Sequence, residues 1–330
     1  MCIKAVANCQ MSHNSLSKKT SNSKNTFLAV IVAIIAIILA FPSLLRTVSP
    51  KLTQAITKQS SRTMTTIAPS QLNVTKRPWS QRGHADHGWL YTFHTFSFAS
   101  YFSPKFQSYG PLRVINEDRV EAGTGFGTHS HAEFLIWSYI VNGELEHKDS
   151  MGNLEILKRG DVQFTSAGTG IRHSEYNRNS ETDNHFLQIW AKPNVRGLKP
   201  SYITRSFTDE MKQDQLVRII ESTDRHSGAD GEHDPIPAHS DVSMDASILS
   251  PGKTVEHELV ADGVRKLYAH VVMTDKAQPA DGAKIKIGDV VLGEGDGAFI
   301  DGASGKGTKV EIESVGSKPA EFILFDMGDE

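Results

Sequence analysis

The sequence predicts an all-β protein made of two tandem β units of sandwich or barrel form, preceded by a hydrophobic segment and a polar tether. Three observations lead there. From about Arg82 to the C-terminus, short apolar runs alternate with Gly, Asp and Asn turns, the rhythm of closely spaced strands. Pro193 to Pro200 (PNVRGLKP) interrupts that rhythm and marks a boundary. The 330 residues suffice for two ordinary domains with separate cores.

Charge is close to balance, with 35 basic and 38 acidic residues and a net charge of −3, which gives no bulk electrostatic case for nucleic acid. The balance hides an asymmetry: the first acidic residue is Asp86, so the region after the leader is distinctly anionic. Both cysteines, Cys2 and Cys9, lie at the extreme N-terminus, leaving the β region without a disulfide or a thiolate ligand.

In chain order, residues 1–26 form a basic, polar leader. Residues 27–45 open with the unbroken run FLAVIVAIIAIILAF and are just long enough to cross a bilayer. Lysines and arginines flank the run on both sides, so charge does not orient it. The segment reads as a single-pass membrane anchor, or as part of an organelle-import leader, with a cytoplasmic protein bearing an inert extension as the alternative. Residues 46–82, rich in Ser, Thr, Gln and Lys without sustained period, read as a flexible tether.

The first β unit, residues 83–192, contains Phe134–Val141, then Asn142-Gly143, a strong hairpin signal. The turn Asp149–Asn153 leads to Leu154–Leu157, with further strands at Val162–Thr165 and Phe186–Trp190. Residues 193–200 form the linker, and residues 201–330 the second unit. That unit begins with an expected helix over Asp209–Ile220 and a polar loop over His226–Asp241, followed by a second strand series from Met244 to Phe325.

His129-Ser130-His131 is the only His-x-His in the chain, and with 14 histidines roughly 0.6 such pairs are expected by chance. Context supplies the weight. Residues i and i+2 of a strand face the same way, so both imidazoles point to one side. His173 and Glu175 repeat that spacing, and a neighbouring strand could bring them opposite. His129, His131, His173 and Glu175 form an N3O donor set that suits iron, manganese, nickel, copper or zinc and disfavours calcium or magnesium.

These motifs resemble the cupin superfamily, and in detail the pirin family. Gly123 through the histidine pair and on to Gly143 is similar to the first cupin motif, and Gly160 through His173 to Asn177 to the second. Phe93–Phe98 (FHTFSF), Arg113–Asp118 (RVINED), Gly125–His129 (GFGTH) and Thr165–Ile171 (TSAGTGI) before His173-Ser174-Glu175 are the pirin-like details. The resemblance spans about residues 82–327. It implies two tandem cupin (double-stranded β-helix, jelly-roll) barrels, with the metal held in the first by His129, His131, His173 and Glu175, and iron expected as the ion. Pirins usually carry Glu four residues after the second His, where this chain has Leu135, and Ala132 replaces a larger residue. That departure bears on catalysis more than on metal binding.

Pirin-like proteins resemble quercetin 2,3-dioxygenases, which open the central ring of a flavonol with O2 and release carbon monoxide. The resemblance therefore implies a flavonol-like substrate with Glu175 as general base. The alternative it implies is a metal- and redox-dependent regulatory module with a protein partner. Gln188 is a candidate to hydrogen-bond substrate or a ligand imidazole, and His94 to line the mouth of the site. Phe126, Phe134 and Trp137 read as core, His147 as solvated beside its turn, and His257 and His270 as lone groups in a metal-free second barrel.

Overall fold

The computed structural model describes residues 72–329. The leader, the hydrophobic segment 27–45 and residues 46–71 of the tether lie outside the described residues. Among the described residues no helix is long and apolar enough to cross a membrane.

Two units of the same plan follow each other. The first pairs a seven-stranded sheet with a four-stranded one. The large sheet runs Ser201–Ser206, Asp161–Ser166, Leu135–Asn142, Asn184–Ala191, Leu112–Val120, Leu90–His94 and Gly83–Asp86; the small one runs Gly125–His131, Ile171–Tyr176, Leu145–Asp149 and Leu154–Leu157. The second unit repeats the seven-plus-four arrangement. Facing sheets with antiparallel pairing bury alternate side chains between them, the plan of a jelly-roll barrel.

Three sequence expectations are corrected. The tether does not extend to residue 82: Asn73–Arg77 form a strand on the edge of the second unit's large sheet, paired with Gly297–Ser304. Val74 packs against that unit's core, which holds the strand in place. Conversely, Ser201–Ser206, expected in the second unit, pairs with Asp161–Ser166 of the first. Each unit is thus completed by a strand from beyond the expected boundary. The helix expected over Asp209–Ile220 is only Asp209–Lys212, capped by the Thr208 side chain, which accepts from Met211 N. Asp214 then takes a positive φ, and the β-branched run from Val217 to Ile220 enters the strand Val217–Ser222.

The main hydrophobic core lies between the outer faces of the two large sheets. Leu135, Trp137, Tyr139 and Val141 project from one strand into it, meeting Ile219, Met244, Tyr268 and Phe325 from the second unit. Trp137 Nε1 stands 3.4 Å from Met244 Sδ. Ile140, of opposite parity, packs inside the first barrel with Leu90, Val120 and Phe186. Burial on both faces explains why this strand reads as an unbroken apolar run rather than an alternating one.

Neither His257 nor His270 is alone. His270 donates across the junction to Glu117, 3.0 Å away, and Glu117 also receives Arg82, His185 and the Met273 amide. Burial disfavours that carboxylate, but hydrogen bonds from His185 and His270 outweigh burial and hold its pKa well below the usual range. His257 lies buried between Asp245 (3.0 Å) and Asp326 (2.9 Å). Burial opposes its charge, yet the two carboxylates more than offset this and push its pKa up to about 9.

Candidate metal centre

The strand Gly125–His131 carries His129 and His131, and the strand Ile171–Tyr176 carries His173 and Glu175. The two pair antiparallel with His173 opposite His129, and the register shifts between His173 and Glu175. Gly125 permits the close approach, since a Cβ there would lie 2.3 Å from the Glu175 carbonyl oxygen.

The three imidazoles converge. Their ring centroids are 4.6–4.8 Å apart, and His129 Nε2 faces His173 Nε2 at 3.1 Å. His129 Nδ1 lies 2.8 Å from the Gly127 carbonyl oxygen; as a donor there, it leaves the Nε2 lone pair aimed at the shared centre. His131 Nε2 is buried without a hydrogen-bond partner. Burial, with the neighbouring His173 and His129 rings, pushes the His131 pKa down to about 4, and burial also lowers that of His173. Neutral imidazoles with unused nitrogens are what a divalent transition metal requires, so this donor set fits one.

Glu175 sits beside this trio rather than in it. Its carboxylate groups with His173 and His147, while His129, His131 and His173 form their own cluster. Gln188 Nε2 donates to Oε2 at 3.0 Å; Gln163 Nε2 at 3.0 Å and Ser138 Oγ at 3.3 Å donate to Oε1. Burial raises its pKa, but His173, His147 and the Gln188 hydrogen bond outweigh burial and hold the net value low. The result is an ionised carboxylate oriented by three donors at the edge of the histidine cluster.

A cavity of about 360 Å³ opens onto the centre, in the size range of small-ligand sites. Trp89, Phe98, Phe126 and Trp190 supply aromatic walls; Thr92, His94, Asn116, Asp118 and Gln188 supply polar ones. His94 lines the cavity as expected and is fixed by Asn116 Oδ1 at 2.8 Å. Gln188 also lines it, but its amide serves the Glu175 carboxylate rather than an imidazole, with its oxygen accepting from Trp190 Nε1 at 3.0 Å. Phe126, expected in the core, forms a cavity wall edge-on to Trp89. Phe134 packs on Trp190, and Trp137 is core.

His147 is not solvated. It is fully buried, opposite Glu175 in register, edge-on to His173 and stacked on Tyr202. The signal was present in the alternation of Leu145, His147 and Asp149, buried, with Glu146 and Lys148 between them more exposed. Leu135 turns away from the histidine cluster: it is buried in the inter-barrel core, and its strand partner Ala191 faces the same way.

Residues 75–191 match the family model Pirin. A quercetin 2,3-dioxygenase of Escherichia coli K12 is 41% identical over 215 residues, covering 63% of this chain and 88% of that protein. A pirin-like protein of Caulobacter vibrioides is 34% identical over 253 residues, covering 77% and 99%. The crystal structure of YhhW from Escherichia coli superposes with a TM-score of 0.67 at 35% identity, across 78% of this chain and 99% of that one. The structure of the bacterial pirin YhhW in complex with nickel(II) gives 0.66 at the same identity, across 78% and 100%.

Proposed function

This chain belongs to the pirin family, and from that premise we propose that it is a metal-dependent dioxygenase of the quercetin 2,3-dioxygenase type, acting on a flavonol or a similar enol or phenol. The observation that carries the reading is the placement of three converging imidazoles and one hydrogen-bonded carboxylate at the base of an aromatic-walled cavity. The nickel-bound relative supports a divalent metal in this chain, and iron is the ion we propose first. His129, His131 and His173 would hold it, with Glu175 as the fourth ligand within reach.

When bound, the metal supplies Lewis-acid polarisation of the substrate's enol oxygen and lowers its pKa. The remaining work belongs to the chain. Glu175, kept ionised by its donors, accepts the enol proton at Oε2 or Oε1. Gln188, Gln163 and Ser138 fix the carboxylate so that it need not reorganise as charge moves. Trp89, Phe126 and Trp190 flank a planar ring and exclude water from the reacting face.

The test begins with elemental analysis of the purified full chain beside His131→Ala and Glu175→Ala. About one redox-active metal per chain, diminished in both variants, is expected. Oxygen uptake with quercetin and carbon monoxide release should then follow metal content. Metal without turnover would favour the regulatory reading, and no metal after reconstitution would remove the proposal.

A further inference from the structure

Most of the polar side chains that line the cavity are matched. His94 meets Asn116, and Ser138, Gln163 and Gln188 meet Glu175. Among the described residues that line the cavity, only three keep a buried polar atom with no partner: His131 Nε2, Thr92 Oγ1 and Asp118 Oδ1. The first is a ligand atom aimed at the metal position. The other two stand directly opposite each other on the paired strands Leu90–His94 and Leu112–Val120, 2% and 3% exposed. The Thr92 hydroxyl is near enough to lower the Asp118 pKa, but the two do not meet hydrogen-bond geometry, and each keeps an oxygen without a partner.

Building on the reading of the cavity as an enol or phenol site, we propose that Thr92 and Asp118 form a second polar anchor, which takes a substrate hydroxyl remote from the enol that meets the metal. A hydroxyl is the complement of this pair, because it donates to the carboxylate while accepting from the threonine O–H. Leaving a carboxyl oxygen buried and unpaired costs stability. Burial pushes the Asp118 pKa up to about 7; neighbouring Thr92 lowers it in part, and the Glu175 charge raises it again. A group kept at that cost in a ligand cavity has the signature of a binding element, not a structural one. The substrate class narrows accordingly, to planar enols carrying at least one further hydroxyl on a ring outside the chelating unit.

The experiment uses the full chain loaded with nickel(II) without oxygen, titrated with quercetin and with 3-hydroxyflavone, which shares the enol but lacks the other hydroxyls. The flavonolate absorbance reports binding. Wild type should favour quercetin by about tenfold or more, and Thr92→Val and Asp118→Leu should erase the preference by weakening quercetin alone by about 10- to 100-fold. Removing an unsatisfied group should also raise the melting temperature of each metal-free variant by about 2–4 °C. Lower melting temperatures with equal weakening of both ligands would make the pair structural and overturn the proposal. A preference that survives both substitutions would overturn it too. In either case, 3-hydroxyflavone binding to wild type would leave the functional reading standing. If neither flavonol binds wild type, the functional reading falls together with the anchor.

Discussion

Replacing Leu135 with Glu restores the residue that pirins usually carry, and it separates two accounts of the departure. If the side chain at 135 reached the metal, Leu135→Glu would complete a deficient site. The structure instead directs it into the core between the barrels, where Leu135 is 1% exposed. Losing that apolar contact costs about 1.5–3 kcal/mol. Holding the new carboxyl protonated in the core at neutral pH adds about 3–4 kcal/mol, unless the longer side chain swings its head to solvent at the start of the strand. A net loss of about 4.5–7 kcal/mol follows where the head stays in the core, read as a lower urea midpoint for the metal-free chain. Metal affinity, from chelator competition, should stay within about twofold of wild type, because no ligand or ligand-orienting group moves. Tightening by about tenfold with stability retained would refute the reasoning, since it would mean that position 135 faces the cavity.

Other outcomes follow from the same geometry. His131→Ala should abolish stoichiometric metal while leaving the metal-free melting temperature unchanged or slightly higher, because the lost Nε2 has no partner to strand; elemental analysis and calorimetry check both. Gln188→Leu removes the donor to Glu175 Oε2 and should weaken metal binding by about 10- to 100-fold without loss of fold, by chelator competition and circular dichroism. His257 has a folded-state pKa pushed up to about 9 from an ordinary 6.5. Its contribution is therefore full below about pH 6.5 and lost as pH rises through about 9, a fall of about 3 kcal/mol. Urea unfolding across that window should show the decline, and His257→Gln should flatten it. Asp245 and Asp326, held below their usual range by His257 and nearby arginines after burial is offset, act at the other end: their contribution disappears as pH falls through those lowered values.

What could be read from the sequence, and what could not, divides along physical lines. The strand Leu135–Asn142, the hairpin at Gly143 and the pairing of two i, i+2 donor sets were legible because they depend on local alternation and turn chemistry. The strands Asn73–Arg77 and Ser201–Ser206 are not legible because their partners lie 220 to 228 and 35 to 45 residues away, and an edge strand with few apolar residues carries little signal of its own. His147 was missed for a different reason. A histidine before a turn is usually wet, and only the register opposite Glu175 places it inside. Reach across the fold also explains the metal centre itself. Sequence supplies four donors, but the trio of imidazoles with Glu175 held to one side by Gln163, Gln188 and Ser138 arises from three further strands. That separation assigns different tasks to groups that spacing alone makes equivalent. The imidazoles converge, with His131 Nε2 unpartnered and its pKa held low, and are arranged to bind; the carboxylate, ionised and hydrogen-bonded on both oxygens, is already provided for without a metal. A carboxylate so held can leave a metal for a proton without being stranded in the barrel, which is the property a base at this position needs.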